Sequence, residues 1–174
     1  LYGLLLLTEQ VPVQNMQQFT KTNDGGDSWQ SYNIDIGDLN LGISMIHAYD
    51  DQTAWLVAYP RGANQIGGIF KTIDGGENWV RQDSALYNTS SSFANVVYFW
   101  DENTGFAQGD PINGEFELYV TENGGENWVQ VPGSNIPNPL GGEYGYTRQI
   151  EINGNNVWYT CLLYTSDAAD EHSW

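Results

Sequence analysis

One nine-residue phrase is written three times in this chain. It reads "KTNDGGDSW" at 21–29, "KTIDGGENW" at 71–79 and "VTENGGENW" at 120–128. Thr22 to Thr72 is 50 residues and Thr72 to Thr121 is 49. A fixed period of that size constrains the fold more than any other feature. Each copy must be one supersecondary unit that buries its apolar face against its neighbours. Other features keep the same step. "AYDDQTAWLVAY" (48–59) parallels "FWDENTGFAQGD" (99–110), and "EINGNNVWYT" follows at 151–160. Trp55 to Phe106 is 51 residues, and Trp158 lies another 52 on.

Within each unit the pattern is strand, tight polar turn, strand. Val96, Val97, Tyr98, Phe99 and Trp100 form a β-branched and aromatic run that stops at "DENTG", a hairpin signal. Each full repeat therefore reads as four strands. In the second they fall at 43–49, 54–59, 68–72 and 77–82; in the third, at 94–100, 105–109, 116–121 and 126–131. The first repeat lacks its first strand and starts at Tyr2, and the fourth stops after its second. Sustained apolar spacing of helical period is missing throughout, so almost no helix is expected. Four short antiparallel strands repeated every ~50 residues is the signature of β-propeller blades. The expectation is an all-β chain with about three and a half four-stranded antiparallel blades, roughly 1–36, 43–84, 93–133 and 147–160. "GSNIPNPLGGEYGY" (133–146) would connect two blades, as its Pro and Gly content suggests.

The recurring phrase has a mechanical explanation. Asp24 and Asp74 can accept hydrogen bonds from backbone N–H groups further along the turn, and Asn123 can do so with its carbonyl. Gly25, Gly75 and Gly124, or Gly26, Gly76 and Gly125 after them, supply positive φ. The hydroxyls of Thr22, Thr72 and Thr121 can tie the strand edge to the loop. Trp29, Trp79 and Trp128 can pack over the turn or against the next blade.

These segments resemble the Asp-box, or bacterial neuraminidase repeat, whose pattern is Ser/Thr-x-Asp-x-Gly-x-Thr-Trp. Thr22, Asp24, Gly26 and Trp29 match it, as do Thr72, Asp74, Gly76 and Trp79. In the third copy Thr121, Gly125 and Trp128 match while Asn123 replaces Asp, and Ser28, Asn78 and Asn127 replace the last Thr. The resemblance spans most of residues 2–160. The family includes sialidases, sortilin-like receptors, xyloglucan-cleaving glycosidases and photosystem II assembly factors. In style, "FWDENTGFAQGDPINGEFELYVTENGG" is similar to large exported propellers of Bacteroidetes-type bacteria. The resemblance implies an extracellular or cell-surface protein whose boxes are structural and lie away from the working face.

Net charge is −17, with five basic residues in the whole chain. Such a surface repels nucleic acid and anionic lipid. "LLLL" at 4–7 is far shorter than the ~20 apolar residues of a spanning helix, so no membrane insertion is expected. The stretch "CLLYTSDAADE" (161–171) departs from the style of everything before it and resembles a translated transposase sequencing adaptor. Residues 161–174 are thus expected to be non-native. Removing them would take away the only cysteine and lower the acidic count from 22 to 19.

For chemistry, the best acidic constellation is Asp110, Glu115 and Glu117 in "GDPINGEFE". Glu115 and Glu117 share strand parity and so share a face. They suit a solvated hairpin, a ligand or cation loop, or a carboxylate pair for glycoside hydrolysis. "DGGD" and "DGGE" offer few of the six to eight oxygens that calcium takes, so no cofactor is expected. Sialidases need an arginine cluster, and Arg61, Arg81 and Arg148 are the only arginines. His47 has no His partner before residue 161, which leaves neither a triad nor a zinc site. The leading expectation is a fragment of an exported propeller that binds a protein or glycan, more binding module than enzyme. The rival is a propeller-type glycoside hydrolase. Open blade edges would favour self-association.

Overall fold

The computed structural model describes residues 16–84 and 87–163. The chain is all-β over that span, with a single 3-10 turn at Gly133–Asn135 as its only helical element. Four antiparallel sheets follow one another along the sequence. The first is a hairpin of β1 (Gln17–Lys21) and β2 (Gln30–Ile34). The second is a meander of β3 (Leu41–Ala48), β4 (Ala54–Pro60), β5 (Gly68–Thr72) and β6 (Val80–Arg81). The third repeats it with β7 (Ala94–Phe99), β8 (Gly105–Ile112), β9 (Glu115–Thr121) and β10 (Val129–Gln130). The fourth pairs β11 (Glu143–Asn153) with β12 (Asn156–Leu163).

The expected strands sit where the period put them, with instructive shifts at their ends. The fourth strand of each meander is shorter than expected. Asp74 accepts from Asn78 N–H and Asn123 from Asn127 N–H, both at 2.9 Å. The chain therefore stays curled until the tryptophan has passed. Conversely, β8 and β9 run to a two-residue turn at Asn113 and Gly114, with φ of 55° and 85°. That is the Asn-Gly hairpin that strand twist favours. The stretch expected to be a loop before residue 147 is already strand from Glu143, and the ladder breaks between Gly145 and Ile150, where Arg148 takes φ 63°. Residues 1–15 and 164–174, which hold the start of the first repeat and most of the suspected adaptor tail, lie outside the described residues. Within the described part, β12 runs three residues beyond Thr160.

Two apolar cores lie between consecutive sheets. Between the second and third sheets sit Trp55, Val57, Ile69, Ala94, Val97, Phe99, Ala107, Tyr119 and Trp128. Between the first and second sit Phe19, Ile34, Ile43, Leu56, Phe70 and Trp79. Successive side chains of a strand point to opposite faces, so Trp55 and Leu56 serve different cores. The first strands of the later sheets gather together: β7 packs on β3, and β11 packs on β7 and reaches β3. Arg148 in β11 donates its Nε–H to the Ser44 carbonyl in β3 at 2.8 Å.

Candidate functional site

The three repeated turns share one hydrogen-bond scheme. The threonine hydroxyl donates to the carboxylate or amide oxygen two residues on, at 2.8, 2.7 and 3.0 Å in order. The same hydroxyl accepts from the N–H of Gly26, Gly76 or Gly125 at 2.9–3.0 Å. Both glycines of each pair have positive φ. In the first two copies the second carboxylate oxygen is also held, by the Ser28 hydroxyl at 2.5 Å and the Asn78 amide at 2.8 Å. The Asn78 amide thus takes in the second copy the place that the Ser28 hydroxyl holds in the first. These bonds pull both acids down: Asp24 falls far below the ordinary carboxylate range, through Ser28 first. Asp74 falls to about 2, through Asn78 first.

Between sheets, the third turn is gripped by the preceding unit. Trp55 Nε1–H and Lys71 Nζ both donate to the Gly124 carbonyl, at 3.2 and 2.9 Å. Lys71 also lies 5.0 Å over the Trp55 ring, a cation–π contact. Ser84 accepts from Trp128 N–H at 2.9 Å. The tryptophans record this cover: Trp79 and Trp128 are buried, whereas Trp29 is 60% exposed and donates only to Gly26 of its own turn.

The acidic constellation of the third sheet is split. Glu115 is exposed at the start of β9, and its carboxylate lies over Gly133. Asp110 and Glu117 are drawn inward. Asp110 Oδ1 accepts from the Asn95 amide at 2.8 Å and from Gly145 N–H at 2.9 Å, joining the third sheet to the fourth. Burial raises its pKa, against those two bonds. Glu117 is 6% exposed. Burial lifts its carboxyl to about 7, opposed by the Ser92 and Tyr119 hydroxyls and reinforced by the charge of Asp110. The buried Tyr87 hydroxyl donates to the Glu117 carbonyl at 3.1 Å. Tyr119 donates to Glu117 Oε1 at a long 3.5 Å. Glu117 Oε2, Asn95 Oδ1 and Gln108 Oε1 are buried with no hydrogen-bond partner among the described residues.

Chemically, a carboxyl that keeps its proton near neutrality beside a second acid is how one fold separates an acid from a base. Two grooves of about 780 and 440 Å³ flank β1 in the first sheet, and neither is lined by Asp110, Glu115 or Glu117. Sequence reasoning missed Tyr87, Ser92, Asn95 and Gln108. Asn95 and Gln108 had a signal, since each is a polar residue set inside an otherwise apolar strand. Tyr87 and Ser92 sit in the connection before β7 and had none.

In comparison with known proteins, no family model, no curated protein and no solved structure matches this chain.

Proposed function

We propose that the chain is part of an exported Asp-box β-propeller that works as a binding or scaffold module for a glycan or protein. The observation that carries the reading is the gathering of β3, β7 and β11, the first strand of each successive sheet. Radial sheets with their first strands around a common axis would produce that contact pattern, and propellers are built so. The repeated turns support it from the other edge, because their polar atoms are spent on the turn itself and on the neighbouring sheet. A module of this kind presents loops at the ends of its sheets rather than a reactive centre.

A second reading, a propeller-type glycoside hydrolase, is favoured by one observation, the raised Glu117 carboxyl beside Asp110. Calorimetric titration with xyloglucan and sialyl oligosaccharides, run alongside a reducing-sugar assay, separates the two. Saturable heat with no new reducing ends supports the module and makes the ligand a glycan. New reducing ends that vanish in Glu117→Gln would replace it with the hydrolase.

A further inference from the structure

Asparagine stands directly before glycine at Asn113-Gly114, Asn123-Gly124 and Asn153-Gly154. That pair carries a latent reaction. The backbone nitrogen of the glycine can attack the side-chain carbonyl carbon of the asparagine, and glycine, which has no Cβ, hinders the approach least. The reaction needs those two atoms brought together in line, so the freedom of the turn decides whether it runs. The three turns differ in that freedom.

Asn123 is locked. Its side-chain oxygen accepts from the Thr121 hydroxyl and from Asn127 N–H at 3.0 and 2.9 Å. The attacking nitrogen is engaged as well, since Gly124 N–H donates to the Asn103 carbonyl at 2.8 Å. Gly124 is buried, and a Cβ there would meet the Glu102 carbonyl at 2.8 Å and Lys71 Nζ at 3.1 Å. Asn153 is exposed, but both carbonyls of its dipeptide are tied. The Asn156 amide donates to Asn153 O at 3.3 Å, and the Trp100 indole to Gly154 O at 2.8 Å. Asn113 has neither restraint. It is exposed at the tip of the β8–β9 hairpin. Among the described residues, neither its side chain nor Gly114 N–H makes a hydrogen bond. A Cβ on Gly114 would meet nothing within 4 Å.

We infer that Asn113 is a self-modification site: in the folded chain its amide is converted to a carboxyl, while the corner around Asn123 keeps that residue an amide. The Gly114 nitrogen bonds to Asn113 Cγ and gives up its proton. The Cγ–Nδ2 bond breaks, and the amide nitrogen leaves with that proton as ammonia. One water then opens the cyclic imide at either of its carbonyls, leaving aspartate or isoaspartate. The product places a new negative charge in the run that already holds Asp110, Glu115 and Glu117. The isoaspartyl form also lengthens the backbone of a turn whose two residues both take positive φ. That loosens the pairing of Ile112 with Glu115 and of Pro111 with Phe116. The acidic hairpin thus changes its charge and its hold with the age of the molecule, and the third repeated turn stays neutral.

The test incubates the folded full chain at mildly alkaline pH and follows it by mass spectrometry after digestion with a glutamyl endopeptidase. Cleavage after Glu102, Glu115, Glu122 and Glu126 puts Asn113 and Asn123 on separate peptides. Asn113 is expected to convert at least about tenfold faster than Asn123, whose bonds must open first, with Asn153 between them. In urea the three rates should converge, because the dipeptide is the same. An Asn113 that stays an amide in the folded chain, or an Asn123 that converts as fast, would overturn the proposal. So would a gap between the two that persists in urea, since neighbouring sequence rather than the fold would then set the rate.

Discussion

Asp24 and Asp74 stand in exposed turns, yet each has both carboxylate oxygens held by neighbours in its own turn. Glu117 is 6% exposed and keeps one buried oxygen that has no partner among the described residues. The two environments move the same functional group in opposite directions. In the turns, hydrogen bonds to the charged form outweigh the small cost of desolvation. In the third sheet, desolvation outweighs the hydroxyls of Ser92 and Tyr119. The turns use charge to hold the backbone, and the third sheet carries it at a cost. A buried charge without full pairing is expensive, so a carboxyl kept there needs a reason beyond packing, which is why Glu117 anchors the hydrolase reading.

The sharpest way to break this contrast is through pH. Glu117 has a folded pKa raised from 4.5 to about 7. Its contribution is therefore fully present below about pH 4.5 and is lost as pH rises through about 7. The ionised form then costs on the order of 3 kcal/mol at pH 8, at about 1.4 kcal/mol for each tenfold change. Glu117→Gln removes the titration. Urea unfolding should show the wild type losing stability between pH 5 and 8 while the variant stays level. Equal slopes in the two proteins would mean that the carboxyl is solvated and the contrast is false.

A smaller effect tests the other side. Thr72 is 2% exposed, and its hydroxyl serves both Asp74 and the buried N–H of Gly76. Thr72→Val keeps the shape and removes both bonds. Leaving such a donor unsatisfied costs about 1–3 kcal/mol. Thr22→Val should cost less, since water can reach the first turn, where Trp29 is exposed. Equal losses at the two sites would show that cover by the preceding unit adds nothing. Smaller again is Asp110→Ala, at about 1 kcal/mol. It removes the acceptor shared by Asn95 and Gly145 and should speed amide exchange around Gly145 more than in the first two sheets.

Much of this was legible in the sequence because period and turn chemistry are local. The Thr-x-Asp-Gly-Gly phrase dictates its own hydrogen bonds, so the corner could be drawn before any coordinates. The strand order followed, since consecutive antiparallel strands pair with their neighbours. The acidic constellation was only half legible. Strand parity puts Glu115 and Glu117 on one face of β9, but parity says nothing about depth along the strand. Glu115 lies at the exposed end of β9 and Glu117 two residues further in, under Tyr87. Tyr87 arrives from the connection between sheets, and no spacing rule predicts where such a residue lands. Gly145 meets Asp110 across 35 residues of sequence, which is likewise a matter of how sheets pack.

The smallest expected effect is the most discriminating for the turns. The third copy already carries Asn123 where the others carry aspartate, and its oxygen accepts from Thr121 and Asn127 at 3.0 and 2.9 Å. The chain thus contains a neutral version of the same corner. Asp74→Asn should leave stability at pH 7 nearly unchanged, because the acceptor is kept. The difference appears in acid. Asp74 has its pKa lowered from 3.8 to about 2, so its stabilising contribution is fully present above about pH 4 and is lost as pH falls through about 2. Asp74→Asn removes that limb, and Asp24→Asn should do the same further into acid. Thermal unfolding from pH 2 to 7 reads the Asp74 limb, and extending it below pH 2 reads that of Asp24. Were Asp74→Asn to lower Tm at pH 7 as far as Thr72→Val does, the charge itself would be holding the turn. The three corners would then not be equivalent, and Asn123 would mark a weaker third turn.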